Sequence, residues 1–391
     1  MAGNELIGQE ELDSVLEVFS KSGGVLFAHG FEARRNHIFR VRDLEKAASK
    51  RFGSPYCTAV NSGTSAIYIA LKALGVGPGD EVITQAYTFV ATVEAIYECG
   101  AVPIVVDVDK SLNMDPEKLE NAISSKTKCI IPVHMQGNPA KLDKILAIAR
   151  KNSIPVIEDS CQAIGAKYKG RHCGTIGDLG CFSLDFGKMI TGGEGGFVFS
   201  SHPDHHKFAA AYHDHGHLND PTLPRGRDRA LVSGFNFRMT EIQAAILLAQ
   251  LKKLDFMLAR LKENKKRLKN RIAESLGSKI EFREINDPDE LHDTLMFFLP
   301  NKEITDQVIP KLAAKKVGLK NVPDAMEWHC SSFWTHIWKD HPRYAGKEME
   351  AWRPTLDLLQ RCISLPLLIL HKESELDRIA DEVIATIRPV L

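Results

Sequence analysis

The sequence predicts an α/β protein, with a large domain built on a mostly parallel sheet between helices and a smaller C-terminal α+β domain. Three observations carry that expectation. From about Val60 to Ser200, short apolar runs bounded by turn residues alternate with helical patterns, the mark of repeated β-α-β units. A long helical stretch from about Thr240 to Ala273 then ends the alternation. Beyond Gly277, strand and helix pieces follow one another without strict order. The boundary is placed within the long helix, giving a large domain over 1–255 and a small one over 256–391.

Strands are expected at Glu81–Gln85, Pro103–Asp107, Cys129–Val133, Pro155–Glu158, Gly180–Ser183 and Gly196–Ser200. Several are almost continuously apolar, as strands covered on both faces must be. Between them, SAIYIALKAL, ATVEAIYEC, PEKLENAI and AKLDKILAIARKN repeat apolar residues at three and four positions and predict amphipathic helices. The small domain is read from KIEFREI, TLMFFLP, TDQVIPKLAAKKVG, CISLPL and a closing helix, ESELDRIADEVIATI. Asn321 to Arg353, rich in Trp, His and Pro and without periodicity, predicts a long functional loop.

With 391 residues, 44% of them hydrophobic and 26% charged, the chain has the composition of an ordinary globular protein with room for a large site. Lys plus Arg and Asp plus Glu number 50 each, so no net field favours nucleic acid or an anionic membrane. The first residues lack a basic segment followed by an apolar run, and no apolar stretch reaches membrane-spanning length. Eight cysteines lie scattered without CxxC pairs, as small core residues kept reduced would. A cytoplasmic location is the expectation.

Three segments carry chemistry. Asn61-Ser62-Gly63-Thr64-Ser65-Ala66 precedes the first clear helix, whose free amides and positive dipole end could hold a phosphate. Taken alone, the segment is better read as an ordinary N-cap through Ser62 or Thr64. Pro155 to Gln162 is an apolar strand delivering Asp159 at its carboxyl end, the edge at which open parallel sheets bind ligands. An aspartate there could hold a protonated ring nitrogen, or cap the next turn. Cys181 to Lys188 sets a lysine just past a buried strand and before the glycine-rich TGGEGG, a setting that desolvates an amine and makes it nucleophilic.

Two other segments are read as non-catalytic. Gly174-Thr175-Ile176-Gly177-Asp178-Leu179-Gly180 has the spacing of a nucleotide loop but precedes a strand, the reverse of the dinucleotide fingerprint, and predicts a turn. His213-Asp214-His215-Gly216-His217 has no second cluster with ligand spacing, so no metal is expected; the preferred reading is a substrate-facing or solvated loop.

Taken together, SGTSAIYIALKALGVGPGDEVI, TFVATVEAIYECGAVPIVVDVD, EDSCQAIGAKYKGRHCGTIGD, FSLDFGKMITGGEGG and GFNFRMTEIQAAI resemble the DegT/DnrJ/StrS family of sugar aminotransferases over nearly the whole chain. The resemblance implies the fold type I architecture of pyridoxal 5'-phosphate enzymes, in a homodimer with shared active sites. By position, Lys188 matches the family's Schiff-base lysine and Asp159 the acid on the pyridine nitrogen. Gln162 matches the amide beside the ring hydroxyl and Phe89 the aromatic on the ring face. Gly63, Thr64, Ser65 and Ser183 match the phosphate-binding positions, and Asn236 the residue that reaches the partner's phosphate. Arg238 and His215 are the expected substrate contacts. The implied amino donor is L-glutamate and the acceptor a keto-sugar of cell-surface polysaccharide or lipopolysaccharide synthesis, with pyridoxamine 5'-phosphate formed in the half-reaction.

Family members with histidine in place of Lys188 resemble sugar dehydratases, so the lysine favours aminotransfer over dehydration. The chain departs from the family at Ile164, where many members carry histidine, and in its Trp- and His-rich loop. That loop, HDHGH and NFR are similar to the branch aminating a free keto-sugar acid, 8-keto-3-deoxy-octulosonate. An acceptor of this kind would suit Arg34, Arg35, Arg40 or Arg42 as carboxylate partners; the alternative acceptor is a nucleotide-linked keto-sugar.

Overall fold

A computed structural model describes residues 3–220, 222–223 and 227–391. Its larger sheet is built from β1 (Tyr56–Val60), β2 (Glu81–Gln85), β3 (Val102–Val106), β4 (Thr127–Ile130), β5 (Ile157–Asp159), β8 (Leu179–Ser183) and β9 (Gly196–Ser200). A small hairpin of β6 (Lys167–Tyr168) and β7 (Arg171–His172) stands apart. Pairing runs β3-β2-β4 and β5-β8-β9-β1. Parallel bridges Ile130 to Val156 and Val133 to Asp159 join the two halves.

β2 pairs parallel with β3 and β4, and β5 with β8, while β9 runs antiparallel to both β8 and β1. The reversal has a local cause. Helices carry the chain back from β1 to β2, β2 to β3, β3 to β4 and β4 to β5, whereas Leu184 to Gly195 is a short return without a helix, and β9 follows β8 antiparallel. Lys188 sits on that return.

Helices α1 (Gln9–Ser20), α2 (Arg40–Phe52), α3 (Gly63–Ala73), α4 (Ala91–Glu98), α5 (Pro116–Ala122), α6 (Leu142–Lys151) and α7 (Pro203–Tyr212) surround the sheet. α8 (Glu241–Leu276) follows, its first turn closed by a capping box between Thr240 and Gln243. Ala244, Leu247 and Leu254 on α8 join the large core, while Arg267 and Arg271 further along pair with Asp377 and Asp381 of the closing helix Glu373–Ile387. The smaller sheet, β10 (Glu281–Phe282), β11 (Thr294–Phe298) and β12 (Cys362–Pro366), is antiparallel; α9 (Lys302–Ala314) packs on the closing helix.

Predicted strands lie within three residues of those observed. β1 is absent from the sequence-based set because its run, YCTAV, is short and opens straight from the Gly-Ser-Pro turn that ends α2.

The expectation of a long loop over Asn321 to Arg353 needs correction. Trp334, Trp338 and Trp352 are buried against Ala86, Val93 and Val105, and their indole nitrogens donate to the carbonyls of Glu327, Ser331 and Val105. Each tryptophan anchors a single short turn, which is why no period is visible. Among the described residues, no helix is long and apolar enough to cross a membrane. The eight cysteines are free, and all but the half-buried Cys161 are buried.

Candidate active site

The carboxyl ends of β1, β5 and β8 open onto one cavity of about 390 Å³. Its lining includes Gly63, Thr64, Phe89, Asp159, Gln162, Ser183 and Lys188 from the expected set, together with Thr88, Thr92, Cys161, Asp185, Phe186, Glu194, Asn321 and His329. Segments far apart in the chain converge here because parallel strands deliver their ends to a common edge.

Asp159 lies buried at the end of β5. Its Oδ2 accepts from Thr92 Oγ1 at 2.7 Å and its Oδ1 from the Cys161 amide at 3.1 Å. The neighbouring Glu158 points the other way and organises the turn expected at Gly174 to Gly180. Its carboxylate accepts from the amides of Gly174, Ile176 and Gly177 and from His134 Nε2. The Ala140 amide donates to His134 Nδ1 at 2.9 Å, which fixes the proton on Nε2. Burial opposes ionisation of Glu158, but His134 and the amides outweigh it and hold the carboxyl below its ordinary range.

Lys188 is mostly covered, its Nζ 3.5 Å from Asp185 Oδ2. Asp185 is itself held by the Ser183 hydroxyl at 3.1 Å and the Gly187 amide at 2.6 Å. The Gly3 amide donates to the Lys188 carbonyl at 3.0 Å, pinning the return from outside. Burial pushes the Cys161 thiol well up, so this sulfur is a neutral wall.

At the start of α3, Ser62 is the N-cap, its Oγ accepting from the Ser65 amide at 3.0 Å. Gly63 meets β8 so closely that a Cβ there would stand 2.7 Å from Ser183 Cβ. Ser65 donates its hydroxyl to Asn61 at 2.6 Å and faces an adjoining cavity with Thr64, Tyr68, Phe235 and Phe237. Gln162 accepts the Gln136 amide at 3.1 Å through Oε1.

Phe89 stacks on Trp328 at 6.0 Å and tilts against His329 at 5.4 Å. Burial depresses His329 to about 4; the nearby Lys188 charge acts in the same sense, and the hydrogen bond to the Ala325 carbonyl opposes both.

Asn236, His215 and Arg238 lie outside this lining. Asn236 is exposed and bridged to Asp214, next to the exposed His215. Arg238 pairs with Asp214 and lies over the Phe27 ring at 4.9 Å. Burial works against the Asp214 charge, but His29, Asn219 and Arg238 prevail and hold its carboxyl well below the usual range. Of the N-terminal arginines, Arg34 is exposed and the other three are committed. Arg35 is fully buried and paired with Glu241 at 2.6 Å, Arg40 pairs with Glu17 at 2.6 Å, and Arg42 stacks on Phe39. Among the described residues, no three His, Cys, Asp or Glu side chains are grouped to hold a metal.

Sequence reasoning missed Thr92, and it reached Asn321 and His329 only as part of the Asn321 to Arg353 segment. The pair Thr88 and Thr92, four residues apart with hydroxyls 2.8 Å from each other, was the available signal for Thr92; which residues of the segment reach the cavity emerges from the fold.

The architecture is that of the fold type I pyridoxal-phosphate transferases. The crystal structure of 3-amino-5-hydroxybenzoic acid synthase matches with a TM-score of 0.85 at 25% identity, covering 98% of this chain and 97% of that one. NtdA from Bacillus subtilis, solved with bound cofactor PMP, matches at 0.84 and 27% identity, covering 98% of this chain and 84% of that one. A model of the DegT/DnrJ/EryC1/StrS aminotransferase family matches residues 37–384, and the chain belongs to that family. Over 220 residues it is 41% identical to GDP-perosamine synthase from Caulobacter vibrioides. That match spans 56% of this chain and 58% of the relative, little more than half of each.

Proposed function

We propose that this chain is a pyridoxal 5'-phosphate-dependent aminotransferase moving an amino group from L-glutamate to a keto-sugar. The observation that carries the reading is the meeting of Lys188, Asp159 and the α3 N-terminus around one cavity. The donor set fits the cofactor. A buried carboxylate held by Thr92 and the Cys161 amide suits a protonated ring nitrogen. The first amides of α3, with Thr64 and Ser183, suit a phosphate. Phe89 offers a ring face, and Gln162, its oxygen already occupied, offers an N–H to a ring oxygen.

When bound, the cofactor supplies an aldehyde that takes up the amino group and a ring that accepts the electrons left when a proton departs from Cα. The chain's own residues do the rest. Lys188 Nζ would hold the aldehyde and would serve as the base for the proton at the substrate Cα. Asp159 would keep the ring nitrogen protonated, and Thr92 keeps Asp159 in place. The lysine at 188, where the dehydratase pattern has histidine, favours aminotransfer.

For the acceptor, the GDP-perosamine synthase relative supports a nucleotide-linked keto-sugar. The aromatic turn carrying Trp328 and His329, with the HDHGH segment, supports the second reading, 8-keto-3-deoxy-octulosonate. Of the arginines proposed for its carboxylate, Arg35, Arg40 and Arg42 are engaged by Glu241, Glu17 and Phe39, which weighs against these three, while Arg34 is exposed. In a homodimer, Asn236 would reach the partner's phosphate and the adjacent His215 its substrate. The exposure of Asn236, Phe235 and Phe186 supports a second copy there.

The test uses purified holoprotein. Visible cofactor absorbance should be bleached by L-glutamate, restored by a keto-sugar, and missing in Lys188→Ala. Lys188-dependent absorbance that no amino donor bleaches would instead indicate a cofactor-binding scaffold. Comparing GDP-linked keto-sugars with the octulosonate chooses the acceptor.

A further inference from the structure

A hydrogen-bond acceptor is fixed in the cavity wall beside Phe89. His329 is buried, and its Nδ1 lies 2.8 Å from the Ala325 carbonyl oxygen. A carbonyl only accepts, so Nδ1 carries the ring proton, and Nε2 of the neutral ring is left with a bare lone pair.

The turn bearing this ring is stitched to the segment before α4. The Thr88 amide donates to the His329 carbonyl and the Val90 amide to the Trp328 carbonyl, each at 3.0 Å, and the Ser331 amide donates to Ala86 at 2.9 Å. The imidazole is therefore held in register with Phe89, whose ring it touches. No described residue donates to Nε2, and His329 lines the same cavity as Lys188.

We propose that His329 is a specificity-determining residue whose Nε2 accepts a hydrogen bond from a hydroxyl of the acceptor sugar. The assignment rests on the keto-sugar aminotransferase reading and extends it to how one cavity serves two unlike substrates. Glutamate brings carboxylates, which cannot donate to a lone pair and are disfavoured beside one. A sugar brings hydroxyl donors. His329 thus acts in the sugar half-reaction and leaves the glutamate half-reaction alone. Burial and the Lys188 charge keep the ring neutral at working pH, so the acceptor persists.

Two variants separate the ring nitrogens. His329→Asn places an amide where Nδ1 was, keeping the bond to Ala325 while deleting the acceptor; His329→Gln restores an oxygen near the Nε2 position. Each half-reaction is followed by cofactor absorbance in wild-type and variant holoenzymes, with L-glutamate and, in the reverse direction, with GDP-perosamine and 8-amino-3,8-dideoxy-octulosonate as amino-sugar probes. Expected for His329→Asn is a fall of about tenfold in kcat/KM for the amino sugar, the effect of one lost hydrogen bond, with the glutamate half-reaction within about twofold of wild type. His329→Gln should recover most of the loss. Equal losses in both half-reactions, no loss in His329→Asn, or matching defects in the two variants overturn the role of His329 while leaving the function intact. A wild type that reacts with glutamate and with neither sugar overturns the keto-sugar reading, and this assignment with it.

Discussion

Gly63 offers a direct probe of how the α3 N-terminus is set against the sheet. A Cβ at this position would stand 2.7 Å from Ser183 Cβ, 3.1 Å from Cys161 Sγ and 3.2 Å from Ser183 Cα. Non-bonded carbons rest at about 3.5–4.0 Å, so in Gly63→Ala the helix start must retreat by roughly 1 Å. The three atoms belong to β8 and to the chain just beyond β5, both buried in the sheet and unable to yield cheaply. Overpacking of this kind costs about 1–3 kcal/mol. The retreat also moves the amides of the first turn, so cofactor affinity should fall about tenfold, the equivalent of one weakened hydrogen bond. Urea unfolding of the apo-protein measures the first effect and titration with pyridoxal phosphate the second. Ser183→Gly removes the closest atom, so adding it to Gly63→Ala should recover part of the lost stability. An apo variant with an unchanged midpoint and unchanged affinity, or a strictly additive double variant, would refute the steric argument.

Two further outcomes follow from the same geometry. Thr92→Val keeps the shape and removes the 2.7 Å bond to Asp159, so cofactor affinity should drop about five- to tenfold while apo stability changes little; spectral titration beside urea unfolding checks this. Glu45 is pushed up to about 7 by burial, against the opposing Ala59 amide. Because the folded state binds this proton more tightly than the unfolded chain, stability falls as pH rises between the ordinary carboxyl value of 4.5 and about 7. Urea midpoints at pH 5 and pH 8 should therefore differ less in Glu45→Gln than in the wild type, and an identical pH dependence would exclude Glu45 as the source.

What the sequence reveals about this site depends on how local each part is. Lys188 and Asp159 were readable because each follows its own apolar strand, and a strand's carboxyl end in a parallel sheet is a place chemistry can use. Gly63 was readable from the turn before its helix. Thr92 was not, because the carboxylate it holds lies 67 residues away and nothing in ATVEAIYEC distinguishes a buried hydroxyl from a solvated one. His329 stood in a stretch whose tryptophans suggested one long functional loop, when three of them are anchors for the fold and the cavity is met by Asn321 and His329. Arg238, Arg35 and Arg40 show the opposite failure. A cation near a motif looks free until the structure supplies its acid.

The 36-residue α8 contains neither glycine nor proline, and sharp kinks in helices almost always need one of these or a local insertion. It belongs to the core of the large sheet at one end and grips the closing helix through two arginine forks at the other. A beam of that kind, about 54 Å long, resists folding back on itself. A bend between the two ends of α8 is therefore suppressed, and the sheet packed on one end and the closing helix held at the other keep a fixed separation along it.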